Sequence, residues 1–299
     1  MNKLPVAARA NILSLLCEGT SMRAITRVTG VSLNTVSKLL IDAGKACAAY
    51  HDENVHGVKA TRVQCDEIWA FCYAKQRNVQ KAKAAPDGAG DVWTWTAMEA
   101  SSKLIISYMV GGRDSDYAMA LMDDLRARIA NRVQLTTDGH KAYLQAVEEA
   151  FGADIDYAQL VKLYGAAPDT FKGRYSPAEC TGCKKESITG KPDPSHISTS
   201  YVERSNLTIR MHMRRFTRLT NAHSKKFENH AWAVALHVMF YNFTRIHSSL
   251  RVTPAMAAGL TDRLWSMSDI VALMDAREAP PVRPKTYRKR AKSAGAISN

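Results

Sequence analysis

Nowhere among the 299 residues do eighteen apolar residues run together, and no signal-peptide core follows the first methionine. The expectation is a soluble, cytoplasmic protein that spans no membrane. Acidic residues are scarce as well: 28 Asp and Glu stand against 41 Lys and Arg, a formal charge of +13. An excess of that size suits a polyanionic partner, because each phosphate neutralised releases condensed counterions. Nucleic acid is the first candidate and an anionic membrane surface the second. The positive charge gathers in Arg204–Lys226 and Arg283–Lys292.

Cysteine is sparse too. Cys17, Cys47, Cys65 and Cys72 stand singly in apolar surroundings, as reduced thiols packed in a cytosolic protein do. Cys180-Thr181-Gly182-Cys183 has the spacing of half a zinc site, yet no second Cys-x-x-Cys or His-x-x-x-His completes it. His196 would bring the ligands only to three. A turn is favoured over a partial metal knuckle shared with another chain, and no zinc site is predicted.

What the chain does contain begins with helical periodicity. Pro5–Cys17 reads as a helix ended by Glu18-Gly19-Thr20. Met22–Val28 follows, Gly30 marks a tight turn, and Leu33–Ile41 resumes the period. Two short helices around a glycine turn, with Met22, Ile25, Val31, Val36 and Leu40 inward, read as a helix-turn-helix. Its second helix presents Asn34, Thr35, Ser37 and Lys38, small polar and basic side chains suited to base edges and phosphates. A plain three-helix bundle is the alternative, and the surrounding charge favours DNA.

After a polar link from His51 to Lys59 the period becomes strand-like. Val63–Tyr73 is apolar on both parities except at Gln64, Asp66 and Glu67, the profile of a central strand. A carboxylate there costs several kcal/mol unless partners compensate it, so Asp66 is either a metal ligand or part of a buried network. Glu67 alternates with it, and its side chain is expected on the opposite face. Asp91–Met98 and Leu104–Val110 continue an antiparallel meander, with Trp93 and Trp95 read as core. Tyr117–Ile129 reads as a helix, Val133–Thr137 as a short strand, His140–Phe151 as a helix and Ile155–Leu163 as a last edge strand. Asp138, before Gly139, either caps the next helix or lies where open α/β sheets place ligands. Gly165–Ile197 has no period and reads as a long loop.

Ser200 stands three residues before Glu203, the spacing of a capping box. Val202, Ile209, Met213 and Phe216 give the helix an apolar face, while Glu203, Asn206 and Arg210 share another among Arg204, Arg214, Arg215 and Arg218. Lys226–Thr244 forms a further helix, Thr253-Pro254 starts a short one, and the basic tail from Glu278 is expected to be disordered. His140, His212 and His247 are read as phosphate contacts or packed side chains rather than as general bases.

Three acids therefore stand out: Asp66, Asp138 and Glu203. Mg²⁺ takes oxygen ligands and needs few carboxylates, since phosphate and water complete its shell. Two such ions serve in-line phosphoryl transfer. In this order of elements, Ser32–Val36, Asp66-Glu67-Ile68-Trp69, Thr137-Asp138-Gly139-His140 with Tyr143, Tyr201–Asn206 with Arg210, and Tyr241–His247 carry a resemblance. The chain resembles the DDE transposases and retroviral-type integrases, and most of all the bacterial insertion-sequence-one family, over residues 10–260.

That resemblance implies an α/β fold: a ribonuclease H-like mixed five-stranded sheet flanked by helices, preceded by a small all-α helix-turn-helix domain. Residues 1–50 would bind DNA, 60–250 would form the catalytic domain with a loop insertion at 165–199, and 251–299 would be a C-terminal helix and basic tail. It implies that Asp66, Asp138 and Glu203 hold two Mg²⁺ (or Mn²⁺) ions with DNA bound. Arg210 would support catalysis and contact DNA, and Asn206 would orient Glu203 or the phosphate. Arg204, Arg214, Arg215 and Arg218 would bind DNA backbone. A zinc-binding segment that precedes the helix-turn-helix in that family has no counterpart here. The implied activity is transposition: binding terminal inverted repeats, nicking there, and joining 3′-hydroxyls to target DNA, as a homodimer or larger assembly in the nucleoid. A nuclease without strand transfer and an inactive DNA-binding regulator are the alternatives.

Overall fold

The computed structural model describes residues 3–165, 180–217 and 221–278. Three helices open it: α1 (Val6–Cys17), α2 (Met22–Thr29) and α3 (Leu33–Asn54). The Ser21 hydroxyl accepts the Ala24 N–H at the start of α2, and Gly30 ends it at φ 71°, a left-handed position that favours glycine. Ser32 caps α3 in the same way through Thr35 N–H.

Instead of yielding to a polar link, α3 runs on for 22 residues. Alanines at 43, 46, 48 and 49 favour helix and no proline interrupts it. Its second half buries Ala43, Gly44, Cys47 and His51, which apolar periodicity alone undercounts. A domain boundary drawn at residue 50 thus falls inside a helix. Ile12, Leu13, Ile25 and Leu40 belong to the same continuous core as Met98 and Ile105.

The sheet comprises β1 (Arg62–Cys72), β2 (Gly90–Glu99), β3 (Ile105–Gly111), β4 (Gln134–Asp138), β5 (Asp156–Tyr164) and β6 (Cys180–Thr189). Helix α4 (Ser115–Arg128) joins β3 to β4, and α5 (Ala142–Phe151) joins β4 to β5. Strand order is β3-β2-β1-β4-β5-β6. The first three strands are antiparallel, β4 and β5 run parallel to β1, and β6 returns antiparallel to β5. The first five strands have the ribonuclease H-like arrangement.

Among the described residues six strands, not five, make the sheet, and β5 is not its edge. Strand β6 forms from part of the expected loop: Leu160 faces Lys185 and Lys162 faces Cys183. Its side chains are almost all solvent-facing, so no apolar alternation marks it; backbone pairing alone places it. Residues 166–179 of that loop lie outside the described residues, as does the basic tail beyond residue 278.

Helix α6 (Ser200–His212) crosses the sheet, and α7 (Phe227–Met239) continues into a π turn over Phe240–Thr244. Two more helices, α8 (Pro254–Ala257) and α9 (Met267–Arg277), close the chain. A capping box of Ser266 and Asp269 starts α9. Paired bonds of 2.6 and 2.8 Å from buried Arg9 to Asp275 tie it to α1. Among the described residues no helix is long and apolar enough to cross a membrane.

Candidate active site

Strands β1 and β4 pair in parallel up to Cys65↔Thr137. Asp66 and Asp138 come next, so two carboxylates lie side by side where that pairing stops, Asp138 at the carboxyl end of β4 and Asp66 in the middle of the longer β1. Asp66 Oδ1 accepts the Glu67 N–H at 2.9 Å, and Asp66 Oδ2 accepts Asn206 Nδ2 at 2.8 Å. Asp138 Oδ1 accepts the His140 N–H at 3.0 Å, while α5 begins two residues later without a side-chain cap. Asp138 therefore shapes the turn after β4 rather than capping a helix.

Glu67 does not turn away from this pair. One oxygen each from Asp66, Glu67 and Asp138 lies within 4.8 Å of the others. The alternation argument fails here because β1 has lost its β4 neighbour, and the longer Glu67 side chain reaches the gap beyond the end of β4. Its Oε1 takes Arg113 Nε at 2.8 Å and Nη2 at 2.7 Å, and its Oε2 accepts the Tyr143 hydroxyl at 3.2 Å. Burial, helped by the charges of Glu67 and Asp138, raises the Asp66 carboxyl to about 7. Burial and Asp138 raise Glu67 as well, against the pull of Arg113.

Glu203 arrives from the first turn of α6. Gln64, buried in β1, docks that turn by accepting the N–H groups of Tyr201 (2.9 Å) and Val202 (3.2 Å). The Ser200–Glu203 capping box is not formed. Thr199 occupies the cap position, and Ser200 is already helical and accepts a bond from Ser198. Glu203 Oε1 instead accepts the Thr199 hydroxyl and lies 2.6 Å from Lys162 Nζ. Asp66, Asp138 and Glu203 line one cleft of about 720 Å³, together with Arg113, His140 and Lys162.

The other expected residues are placed as follows. Asn206 bonds to Asp66 rather than to Glu203. Arg210 Nη1 donates to Phe216 O at 3.4 Å. Helix α6 stops at His212, short of the expected Phe216, and Met213 is extended. The chain breaks there to set Phe216 against the His230 ring, 5.0 Å away, and to bring Arg215 to the Ser224 hydroxyl at 2.8 Å. Arg204 and Arg214 are exposed, and Arg218 lies outside the described residues. On α3, Asn34, Thr35 and Lys38 are exposed and Ser37 is half-buried. Lys38 pairs with Asp42 one turn on.

His140 faces the cleft, His212 Nδ1 donates to the Cys17 carbonyl (3.2 Å), and His247 contacts Ser249. Trp95 is fully buried, whereas Trp93 is partly covered by the Arg113 guanidinium 4.6 Å above its ring. Cys180 and Cys183 sit on β6 rather than in a turn. Among the described residues no group of three or more potential metal ligands includes them. Gln64, Arg113, Thr199 and Lys162 join the site without belonging to any of the sequence motifs. Only Gln64 carried a signal, a lone amide in an apolar strand.

No protein-family description matches the chain, and no curated protein is similar to it. Solved structures give low-identity likenesses. A Mos1 transposase paired-end complex with left transposon end is 15% identical over 52% of this chain and 60% of that one, with a TM-score of 0.22. A Mos1 mariner paired-end complex with Mn is 11% identical over 80% and 78%, at 0.29. A piggyBac transposase synaptic complex with hairpin DNA is 10% identical over 93% and 73%, at 0.37. The chain thus spans about 60% of the first of these. The fold rests on the strand order and register given above.

Proposed function

We propose that this chain is a DDE-type transposase of a bacterial insertion sequence, which cuts DNA at the ends of its element and joins the freed 3′-hydroxyls to target DNA. One observation carries the reading: Asp66, Asp138 and Glu203, from three separate elements, line a single cleft edged by Arg113, His140, Lys141 and Lys162. Carboxylates among cations suit a phosphodiester held against divalent ions.

The donors fit a hard cation, being all oxygen. Asn206 Oδ1 is also buried beside Asp66, with no hydrogen-bond partner among the described residues. Asp66, Asp138 and Glu203 would hold Mg²⁺ or Mn²⁺, which would activate a water or 3′-hydroxyl and stabilise the leaving oxygen. The chain's own residues supply the rest. Asn206 fixes the Asp66 carboxylate, Gln64 holds the helix that carries Glu203, and Arg113 neutralises Glu67 so that it competes less for an ion. The exposed start of α3, with Asn34, Thr35, Ser37 and Lys38, would read the element ends as part of a helix-turn-helix. Arg204 and Arg214 would bind backbone. Two ends must be brought together, so the active form would be a dimer or larger on DNA.

Strand transfer tests this. Purified protein receives Mn²⁺ or Mg²⁺, a labelled duplex carrying the element end and a supercoiled plasmid, beside Asp66→Asn, Asp138→Asn and Glu203→Gln. Metal-dependent joining that all three variants lose while still binding DNA supports the proposal. Cleavage without joining assigns a nuclease, and binding with neither reaction leaves a regulator.

A further inference from the structure

Lys162 is a cleft residue to which the reaction above gives no task. Its ammonium nitrogen lies 2.6 Å from Glu203 Oε1, the oxygen that also takes the Thr199 hydroxyl. Glu203 is not part of the close group formed by Asp66, Glu67 and Asp138. Lys162 projects from β5 two residues beyond Leu160, which pairs with Asp138, so its charge sits on the same side of the cleft as the acids. An ammonium held by a carboxylate in an acidic cleft supplies the charge that a metal ion would. A divalent ion bound at Glu203 Oε1 would stand about 4 Å from the ammonium, close enough for the two cations to repel and weaken each other's hold on that oxygen.

Building on the metal-dependent reading above, we propose that Lys162 fills a cation position in the ion-free protein and moves onto the DNA phosphate when an ion takes Glu203. The side chain is built for such a move. It is a compact charge on a flexible four-carbon stem, and it is 31% exposed. Glu203 would then be the ligand recruited last, and Lys162 would couple its recruitment to the arrival of substrate.

Calorimetric titration of the full chain with Mn²⁺ tests the first half. Wild type is compared with Lys162→Met, Glu203→Gln and the double variant, with Lys162→Gln as a second replacement should Met disturb β5. Lys162→Met is expected to bind the ion about fivefold more tightly, the worth of one half-exposed ion pair. That gain should vanish in the Glu203→Gln background. A gain that persists without Glu203 is a general field effect and overturns the proposal, as does no gain. Wild type that binds no ion, and behaves as Asp66→Asn does, would instead remove the metal-dependent reading itself.

The second half is read from affinity for the end duplex in EDTA and in Ca²⁺. Lys162→Met should match wild type in EDTA, where Lys162 is held by Glu203, and bind several-fold more weakly in Ca²⁺. An equal loss in both conditions, or none in either, overturns the phosphate contact.

Discussion

Asn206 Nδ2 donates to Asp66 Oδ2 across 2.8 Å, although the two residues are 140 positions apart in sequence. The bond locks the first turns of α6 to β1 and leaves Asp66 one oxygen, already taking the Glu67 N–H, to turn toward the cleft. A carboxylate held in this way is oriented before any ligand arrives. Asn206→Ala should therefore lower Mn²⁺ affinity and strand joining by about 10- to 100-fold, the range for lost partners of metal ligands. Circular dichroism should show the fold retained. Joining within a factor of two of wild type would show that the bond is dispensable.

Much of this site was legible in the sequence. Asp66 stood out as an acid in an apolar strand and Asp138 as an acid at a strand end. The order of strands and helices from Val63 to Leu163 is there to be read. What escaped notice depends on where one strand stops beside another. Glu67 reaches the acidic group only because β4 ends at Asp138, and period-2 alternation carries no information about a neighbour's length. Strand β6 is hidden because an exposed strand of Lys, Glu and Thr buries nothing that would mark it. The length of α3 was missed for a related reason: helix propensity in an alanine-rich stretch is quieter than a stripe of leucines.

Glu67 offers a direct comparison with Glu203. Arg113 and Tyr143 already occupy both of its oxygens, so Glu67 has little left for an ion. Glu67→Gln should reduce joining less than about tenfold, whereas Glu203→Gln should abolish it. The reverse ranking, in the same assay, would assign the metal to Asp66, Glu67 and Asp138.

Gly44 lies where α3 meets α7. A Cβ at this position would sit 2.4 Å from the Trp232 carbonyl oxygen and 2.7 Å from its Cα. Backbone cannot rotate away as a side-chain tip can. Gly44→Ala gains about 1 kcal/mol of helix propensity, and overpacking against fixed atoms costs about 1–3 kcal/mol. The net effect should be a lower Tm in thermal melts; a raised Tm would mean that α3 and α7 separate easily.

Three buried histidines set the acid limit. Burial lowers His51 to about 4 and His230 and His237 to about 3, with nearby Arg128, Arg215 and His212 adding to it respectively. Unfolded, each takes a proton near 6.5, so the stability they confer is full above that pH and is lost as pH falls toward 4 and 3. Each contributes up to about 1.4 kcal/mol per pH unit. Asp66, raised to about 7, and Glu67, also raised, act in the opposite sense, but they are two groups against three. Urea melts from pH 7 to 4 should show falling stability, with a shallower slope in His237→Gln. Equal slopes would mean that His237 is protonated in the folded protein.

Helix α3 also works as a strut. Its first turn is exposed, and its last turn is fixed to the sheet, where His51 Nε2 meets the Ile105 carbonyl at 3.4 Å. Twenty-two residues at 1.5 Å each make a rod of about 33 Å. Any surface at Asn34 is therefore held at a set distance and a set angle from the cleft. One residue inserted in mid-helix would lengthen the rod by only about 1.5 Å yet turn its tip by about 100°. The fold thus acts as a ruler whose rotational setting is far less forgiving than its length.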